Sequence, residues 1–345
     1  MSQNSTRASP HVLIVGSGSV GKRHAENLYN LDCAVSCVDP RSDRQQELAS
    51  TTPIRDAYRS IEDAMSLQCQ YDGVVICSPP KWHVEQATYA LSNNISVLLE
   101  KPVGKDLTTA LVLKNVVEEM SSDTGPQLLL GYTWRWWSAL RYLRKMVNDG
   151  SIGRVFFTRI HVSANLEDWH PWERYQNFFM SSSEVGGGAL LDESHWLDQM
   201  IWLFGMPDRV FGTVAKISDL EITSDDSVDL LCFYRNGMKV SIHMDIYGRP
   251  HEKSILVLGT EGNLFWDEKS NNVTTQHKNG IEETNTFANS RNDMFVGVAT
   301  EFVDVMAGAQ PTTCQIEDGI KVLQIIEGVR ASSRLKKVVD LADLV

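Results

Sequence analysis

Three groups of residues in this sequence have the types and spacing to do chemistry. The first is Gly16-Ser17-Gly18-Ser19-Val20-Gly21, a G-x-G-x-x-G that leaves one apolar run and opens a helical stretch, with Asp39 closing the next apolar run. That context is what dinucleotide binding requires. Gly16 permits a tight turn, Gly18 lets backbone approach a pyrophosphate, and Gly21 lets helix and strand pack closely. The first helical turn, with Ser19 and Val20, offers N–H groups and a positive dipole end to phosphates. A carboxylate at Asp39 would accept hydrogen bonds from ribose hydroxyls and repel a 2′-phosphate, which favours NAD over NADP. Arg41 and Arg44 follow closely and could soften that preference. Stripped of its context, the glycine cluster is a turn and nothing more.

The second group lies where two later apolar runs end. Glu100-Lys101-Pro102 follows the run Ile95 to Leu99. In an open parallel sheet, ligands bind beyond the carboxyl ends of the strands. A lysine there, aimed by the following proline, can reach a substrate hydroxyl; by spacing alone a surface Lys-Pro turn reads the same way. Cys77-Ser78-Pro79 ends the run Gly73 to Cys77. It could line a nicotinamide, or simply end a strand and start a helix.

The third group is Gly186-Gly187-Gly188 leading into Ala189 to Asp198. Taken as one helix, Asp192, His195 and Gln199 fall at i, i+3 and i+7 on a polar stripe, away from Leu190, Ser194, Leu197 and Ile201. A neutral imidazole at His195 can take a hydroxyl proton near neutral pH. A histidine on an amphipathic helix is also commonly structural. Asp198 reads as a plain surface acid that could at most orient the ring.

The elements that must position these groups follow from periodicity. Short apolar runs at 11–16, 33–39, 73–77, 95–99 and 127–131 alternate with helical stretches, such as the one that Asp106 can cap. This predicts crossover units and a parallel sheet. From about residue 154 the pattern changes to period two. Val240, Ile242, Met244 and Ile246 alternate with Lys239, Ser241, His243 and Asp245, and Val228 to Tyr234 repeats the alternation, which predicts an antiparallel sheet with one face less buried. Helices are expected over about 294–306 and 317–332. The fold class is therefore α/β, in domains of 11–131 and 132–345 after a polar tail of residues 1–10.

Composition narrows the classes. The chain has 345 residues, 42% of them hydrophobic, and 44 acids against 32 Lys plus Arg for a net charge of −12. Length and apolar content suit two globular domains, and the acidic balance disfavours nucleic acid. No apolar run reaches the roughly 18 residues of a membrane span, and the Ser-rich first ten residues do not read as a signal peptide. Six scattered cysteines without zinc-ribbon spacing suggest reduced thiols, a cytoplasmic location and no metal.

Together these residues resemble the Gfo/Idh/MocA family of NAD(P)-dependent oxidoreductases. The likeness runs through the glycine loop, Ser78-Pro79 with His83 following, Glu100-Lys101-Pro102, the GGG-x-L-x-D segment and Leu258-Gly259-Thr260-Glu261-Gly262. It implies an N-terminal Rossmann domain followed by an α+β domain with a large, mainly antiparallel open sheet that often mediates oligomerisation, as a dimer or tetramer. It makes Lys101 the catalytic lysine, His195 the proton acceptor or donor, and Asp192 a substrate ligand or an aid to that histidine. The cofactor NAD, or NADP, would be held by Gly16, Gly18, Ser19, Val20, Gly21, Asp39, Cys77, Ser78, Pro79, His83, Glu100 and Lys101. Substrate contacts could come from Tyr132 and Arg135, and from the aromatic stretch 168–175 with Trp169 and Arg174. The implied reaction is hydride transfer between the cofactor and a carbinol carbon of a sugar, cyclitol or sugar derivative. An NAD-dependent glycosidase and a non-catalytic NAD-binding regulator are the alternatives. The sequence departs from the family in one respect: His195 is three residues after Asp192, where the family has four.

Overall fold

The computed structural model describes residues 9–66, 70–120, 125–169 and 173–344. Positions 1–8 of the expected tail, Cys69, and His170, Pro171 and Trp172 of the aromatic stretch lie outside the described residues. The chain divides into two compact units.

The first unit is built on a six-stranded sheet. Its elements are β1 (His11–Val15), α1 (Ser19–Asn30), β2 (Ala34–Val38), α2 (Ser42–Ala49), β3 (Ala57–Tyr58), α3 (Ile61–Ser66), β4 (Gly73–Ile76), α4 (Pro80–Ser92), β5 (Ser96–Glu100), α5 (Leu107–Met120) and β6 (Leu128–Gly131). The strand order is β3-β2-β1-β4-β5-β6, and every pairing is parallel. The order reverses direction between β1 and β4, which makes their carboxyl ends the switch point where such sheets bind ligands. Helices on both faces explain the solidly apolar strands: Val12, Leu13, Ile14, Val74, Val75, Ile76, Val97, Leu98 and Leu99 are all fully buried. Asp106 caps α5 as expected, its carboxylate accepting from the Thr109 N–H at 2.8 Å. The two-residue edge strand β3 was not legible, since two residues carry no period.

In the second unit the first elements are α6 (Ser138–Asn148), β7 (Val155–Ser163), α7 (Ala189–Asp192) and α8 (His195–Phe204). The strands β8 (Arg209–Ala215), β9 (Ser227–Phe233), β10 (Lys239–Asp245), β11 (Glu252–Gly259), β12 (Gly262–Asp267), β13 (Asn272–His277) and β14 (Glu282–Thr286) follow. Helices α9 (Asp293–Met306) and α10 (Ile316–Leu335) and a short β15 (Val339–Asp340) end the chain. The nine strands run in the order β14-β13-β12-β11-β7-β10-β9-β8-β15. Only the β7–β10 pairing is parallel, so the sheet is mainly antiparallel, as the period-two pattern predicts. One face is apolar and covered. Its core holds Trp134, Trp196 and Trp266, with ring centroids 5.2–5.9 Å apart.

A single cut after residue 131 does not describe the division. Residues Arg291–Ile316, with α9, return to the first unit. Phe302 and Met306 of α9 pack where a side chain at Gly73 would otherwise stand, within 2.9 Å of its missing Cβ. The Leu130 N–H on β6 donates to the Cys314 carbonyl at 3.2 Å. α9 thus completes a core that the first 131 residues leave open.

The other face of the large sheet carries a mixed row. Register aligns Phe211, Leu231, Ser241, Arg159, Leu256, Phe265 and Thr274 across seven strands, and Phe211 and Phe265 are 41% and 42% exposed. Beside this row, the His243 ring bonds Asp229 at 2.8 Å and Asp245 at 3.0 Å and stacks on His161. The Asp245 bond and then the Asp229 bond, set against partial burial, raise the His243 pKa from 6.5 to about 9. A raised histidine stabilises the fold fully below about pH 6.5, and that contribution is lost as pH climbs through about 9. With Asp229 63% exposed, screening leaves on the order of 1 kcal/mol. Thermal melts at pH 6 and pH 10 test this: His243→Asn should narrow the difference between the two melting temperatures, and an unchanged difference would contradict the assignment.

Candidate active site

In the first unit the chemistry-bearing residues gather at the carboxyl ends of β1, β2, β4 and β5. Gly16 leaves β1 with φ +96°, a conformation costly to any residue with a Cβ. A Cβ there would come within 2.8 Å of the Cys77 carbonyl and the Ser78 nitrogen, so β1 and β4 end in near backbone contact. A Cβ at Gly21 would lie 1.9 Å from the Gly16 carbonyl oxygen. Gly18 differs: it is the N-cap of α1, and nothing lies within 4 Å of where its Cβ would be. No side chain caps α1 and no acid sits in its first turn, which leaves its first N–H groups and dipole to an anion. Asp39 is 9% exposed. Its carboxylate accepts from the Ser17 N–H at 2.8 Å and the Arg41 N–H at 2.9 Å, which fixes it against the glycine loop. Arg41 itself pairs with Asp43 at 2.5 Å. A bare cradle, an uncapped helix start and a fixed acid are what a dinucleotide needs, so these residues fit the expected cofactor.

The next two loops are tied together. His83 is 1% exposed, and its ring nitrogens lie 2.7 Å from the Pro102 and Ser78 carbonyl oxygens. Burial lowers its pKa, against the pull of those two carbonyls. Both ring nitrogens are engaged with backbone, so His83 acts through the loops it joins. Ser78 Oγ donates to Gln86 at 2.6 Å. Burial raises the Cys77 thiol pKa well above its ordinary value, with the Glu100 charge adding to it. Glu100 itself points inward, its carboxylate bonded to His24 at 2.7 Å. Lys101 follows at the strand end, and the Lys101–Pro102 peptide is cis.

In the second unit the expected single helix is broken. α7 ends at Asp192, Glu193 and Ser194 form a turn, and His195 begins α8. Asp225 fixes the entry: its carbonyl accepts from the Ala189 N–H at 2.9 Å and its carboxylate from the Leu190 N–H at 2.8 Å. A Cβ at Gly188 would meet that carboxylate at 2.5 Å. Within the turn the Ser194 N–H reaches Leu191 and the Trp196 N–H reaches Glu193, both three residues back. Both bonds tighten the turn between Asp192 and His195 relative to a continuous α-helix. Tyr132, fully buried, meets the His195 ring edge-on at 5.7 Å. The polar stripe ends there, because Gln199 is fully buried.

Asp198 is not the surface acid expected. It is fully buried, and Arg135 donates to it from Nη2 at 2.6 Å and from Nε at 3.0 Å. Burial raises its pKa to about 6, with Arg135 opposing. Nη1 of the same arginine reaches Asp318 at 2.9 Å. At 3% exposure, Arg135 is an internal anchor for α8, not the substrate contact its sequence position suggested. A buried carboxylate needs such a partner, which composition could not reveal. Of the aromatic stretch, Trp169 is half-buried and Arg174 exposed, while Asp168 pairs with Arg249 at 2.8 Å. Sequence reasoning missed His24, although its place three residues after Gly21 on the buried face of α1 was visible.

Two models of one family match most of the chain. The NAD-binding Rossmann fold of the oxidoreductase family matches residues 11–124, and the GFO/IDH/MocA C-terminal domain matches residues 140–265. Myo-inositol 2-dehydrogenase of Thermotoga maritima is 24% identical over 346 residues, covering 96% of this chain and 98% of that protein. Levoglucosan dehydrogenase in complex with NADH superposes with a TM-score of 0.85 at 16% identity, covering 96% of this chain and 99% of that one. Scyllo-inositol dehydrogenase from Lactobacillus casei, with bound NAD(H) and scyllo-inositol, gives 0.80 at 20% identity, covering 97% and 99%.

The glycines make separable predictions. Gly18→Ala meets open space, so it should fold with an unchanged melting temperature and lose NAD affinity at least about tenfold, as a methyl displaces the pyrophosphate. Gly21→Ala should lower the melting temperature as well, because strand and helix must part. NADH fluorescence titration with thermal melts checks both; full NAD affinity in Gly18→Ala would contradict the cradle.

Proposed function

The chain belongs to the Gfo/Idh/MocA family of oxidoreductases, and from that premise we propose that it transfers a hydride between NAD and a carbinol carbon of a cyclitol, sugar or sugar derivative. The observation that carries the reading is the bare glycine cradle and fixed Asp39 on the same sheet edge as Lys101. The bound nicotinamide cofactor supplies the hydride chemistry; the protein supplies orientation and proton handling. The Lys101 ammonium lowers the pKa of the reacting hydroxyl and stabilises the alkoxide as it develops. The His195 imidazole takes the proton, with Asp192 holding the ring or a neighbouring hydroxyl. Asp39 supports NAD over NADP, since its carboxylate repels a 2′-phosphate and Arg41 is held by Asp43.

Other features support a reading of assembly and compartment. The open sheet face, with exposed Phe211 and Phe265 paired with Leu231 and Leu256 in a row that also holds polar side chains, suits a second copy of this chain, giving a dimer or tetramer. Trp169 and Arg174 remain candidates for sugar contact through ring stacking and charge. No helix among the described residues is long and apolar enough to cross a membrane. Cys33, Cys37 and Cys232 are buried thiols, which supports a reducing, cytoplasmic setting.

Lys101→Met tests the central role. It should leave the NADH dissociation constant within about twofold while turnover falls on the order of 100-fold or more. Steady-state kinetics with binding titration measure both, and unchanged turnover would remove Lys101 from the mechanism.

A further inference from the structure

Glu100 is an anomaly at the end of a buried strand. The three residues before it, Val97, Leu98 and Leu99, are fully buried, and Glu100 is 8% exposed. A carboxylate placed there loses hydration and must be compensated by close donors. The compensation is specific. His24 on α1, fully buried, lies with its Nε2 2.7 Å from Glu100 Oε1. The carboxylate accepts, so Nε2 carries the hydrogen. The second oxygen, Oε2, accepts from the backbone N–H of Lys101 at 3.3 Å. Opposite, on β6, a Cβ at Gly131 would come within 3.2 Å of the carboxylate; glycine there leaves the room the acid occupies. Nδ1 of His24 has no hydrogen-bond partner among the described residues, and the ring packs edge-on against Phe295 of α9. One ring nitrogen is given to Glu100, and nothing else in the environment asks for a histidine.

We propose that His24 is a positioning residue for Lys101, acting through Glu100; this rests on the reading of Lys101 as the residue that handles the alkoxide. The imidazole holds Oε1, which sets the carboxylate plane and turns Oε2 toward the Lys101 N–H. The peptide from which the lysine side chain projects is thereby tied to α1, the helix whose first turn forms the phosphate cradle. The Glu100 charge also bears on Cys77 and His83 in the neighbouring loops, so the carboxylate sits amid the elements it would coordinate. A purely structural pair would stiffen β5 and α1 equally well with two apolar side chains. A positioning pair needs the donor.

The test compares wild type with His24→Leu, which removes the donor, and His24→Gln, which keeps an N–H at similar reach. The first readout needs no substrate: the rate at which trinitrobenzenesulfonate labels Lys101, followed by peptide mass spectrometry on the full chain. His24→Leu should change that rate at least about threefold relative to Lys81, and His24→Gln should restore it. The second readout is kinetic: His24→Leu should lower kcat on the order of 10- to 100-fold with the NADH dissociation constant within about twofold, and His24→Gln should recover most of kcat. Wild-type labelling in His24→Leu would overturn the proposal. So would equal damage in the Leu and Gln variants, matched by equal losses in melting temperature and NADH binding. Should His24→Leu fail to fold, Glu100→Gln decides through the same labelling, a changed rate at wild-type melting temperature supporting the proposal and an unchanged rate overturning it. A wild type that oxidises no polyol would defeat the functional reading alone, since the labelling result stands without it.

Discussion

A side-chain carbon at position 21 would lie 1.9 Å from the Gly16 carbonyl oxygen, and one at position 16 would lie 2.8 Å from the backbone of Cys77 and Ser78. The first unit depends on that closeness. With no side chains there, β1 runs directly into α1 and β1 ends against β4, so the sheet edge is backbone and little else. Everything that gives the edge its chemistry is then brought in from the side. Asp39 arrives from β2 and is fixed by the loop's own N–H groups. His83 pins the loops after β4 and β5 to each other, and the strand end carrying Lys101 is held through Glu100. A cradle made of backbone needs rigid neighbours, and the hydrogen bonds around it supply them.

The second unit poses a different problem, which is how the segment carrying Asp192 and His195 is held. The answer is a helix interrupted at Glu193 and Ser194, with its entry gripped by Asp225 and its body anchored by the Arg135–Asp198–Asp318 group. The turn between Asp192 and His195 is tightened by the Ser194 N–H bond to Leu191 and the Trp196 N–H bond to Glu193, each three residues back.

Much of this was legible in the chain. Solid apolar runs between helical stretches gave the parallel sheet, and the alternation at Val240, Ile242 and Met244 gave the one-sided antiparallel sheet. The places of the glycine loop, Asp39 and Lys101 at strand ends were legible because the apolar runs before them are local features. What was not legible is long-range. Nothing near Asp198 in sequence announces Arg135, 63 residues away, so a buried acid read as a surface one. The break between α7 and α8 at Glu193 and Ser194 and the grip of Asp225 on the α7 entry are not visible in a helical wheel. Residues 291–316 return to the first unit to cover α1 and the start of β4, a need that only the folded sheet reveals. His24 stayed hidden because its partner, Glu100, lies 76 residues on.

The central claim is that this chain oxidises a carbinol carbon of a polyol-type substrate with NAD. The most direct measurement is NADH absorbance on incubating the protein with NAD and a panel of cyclitols, sugars and sugar derivatives. The account predicts net NADH formation with at least one cyclitol or sugar, stronger with NAD than with NADP. NAD binding without NADH from any member of the panel, or release of an aglycone from an aryl glycoside with no net NADH, would contradict it.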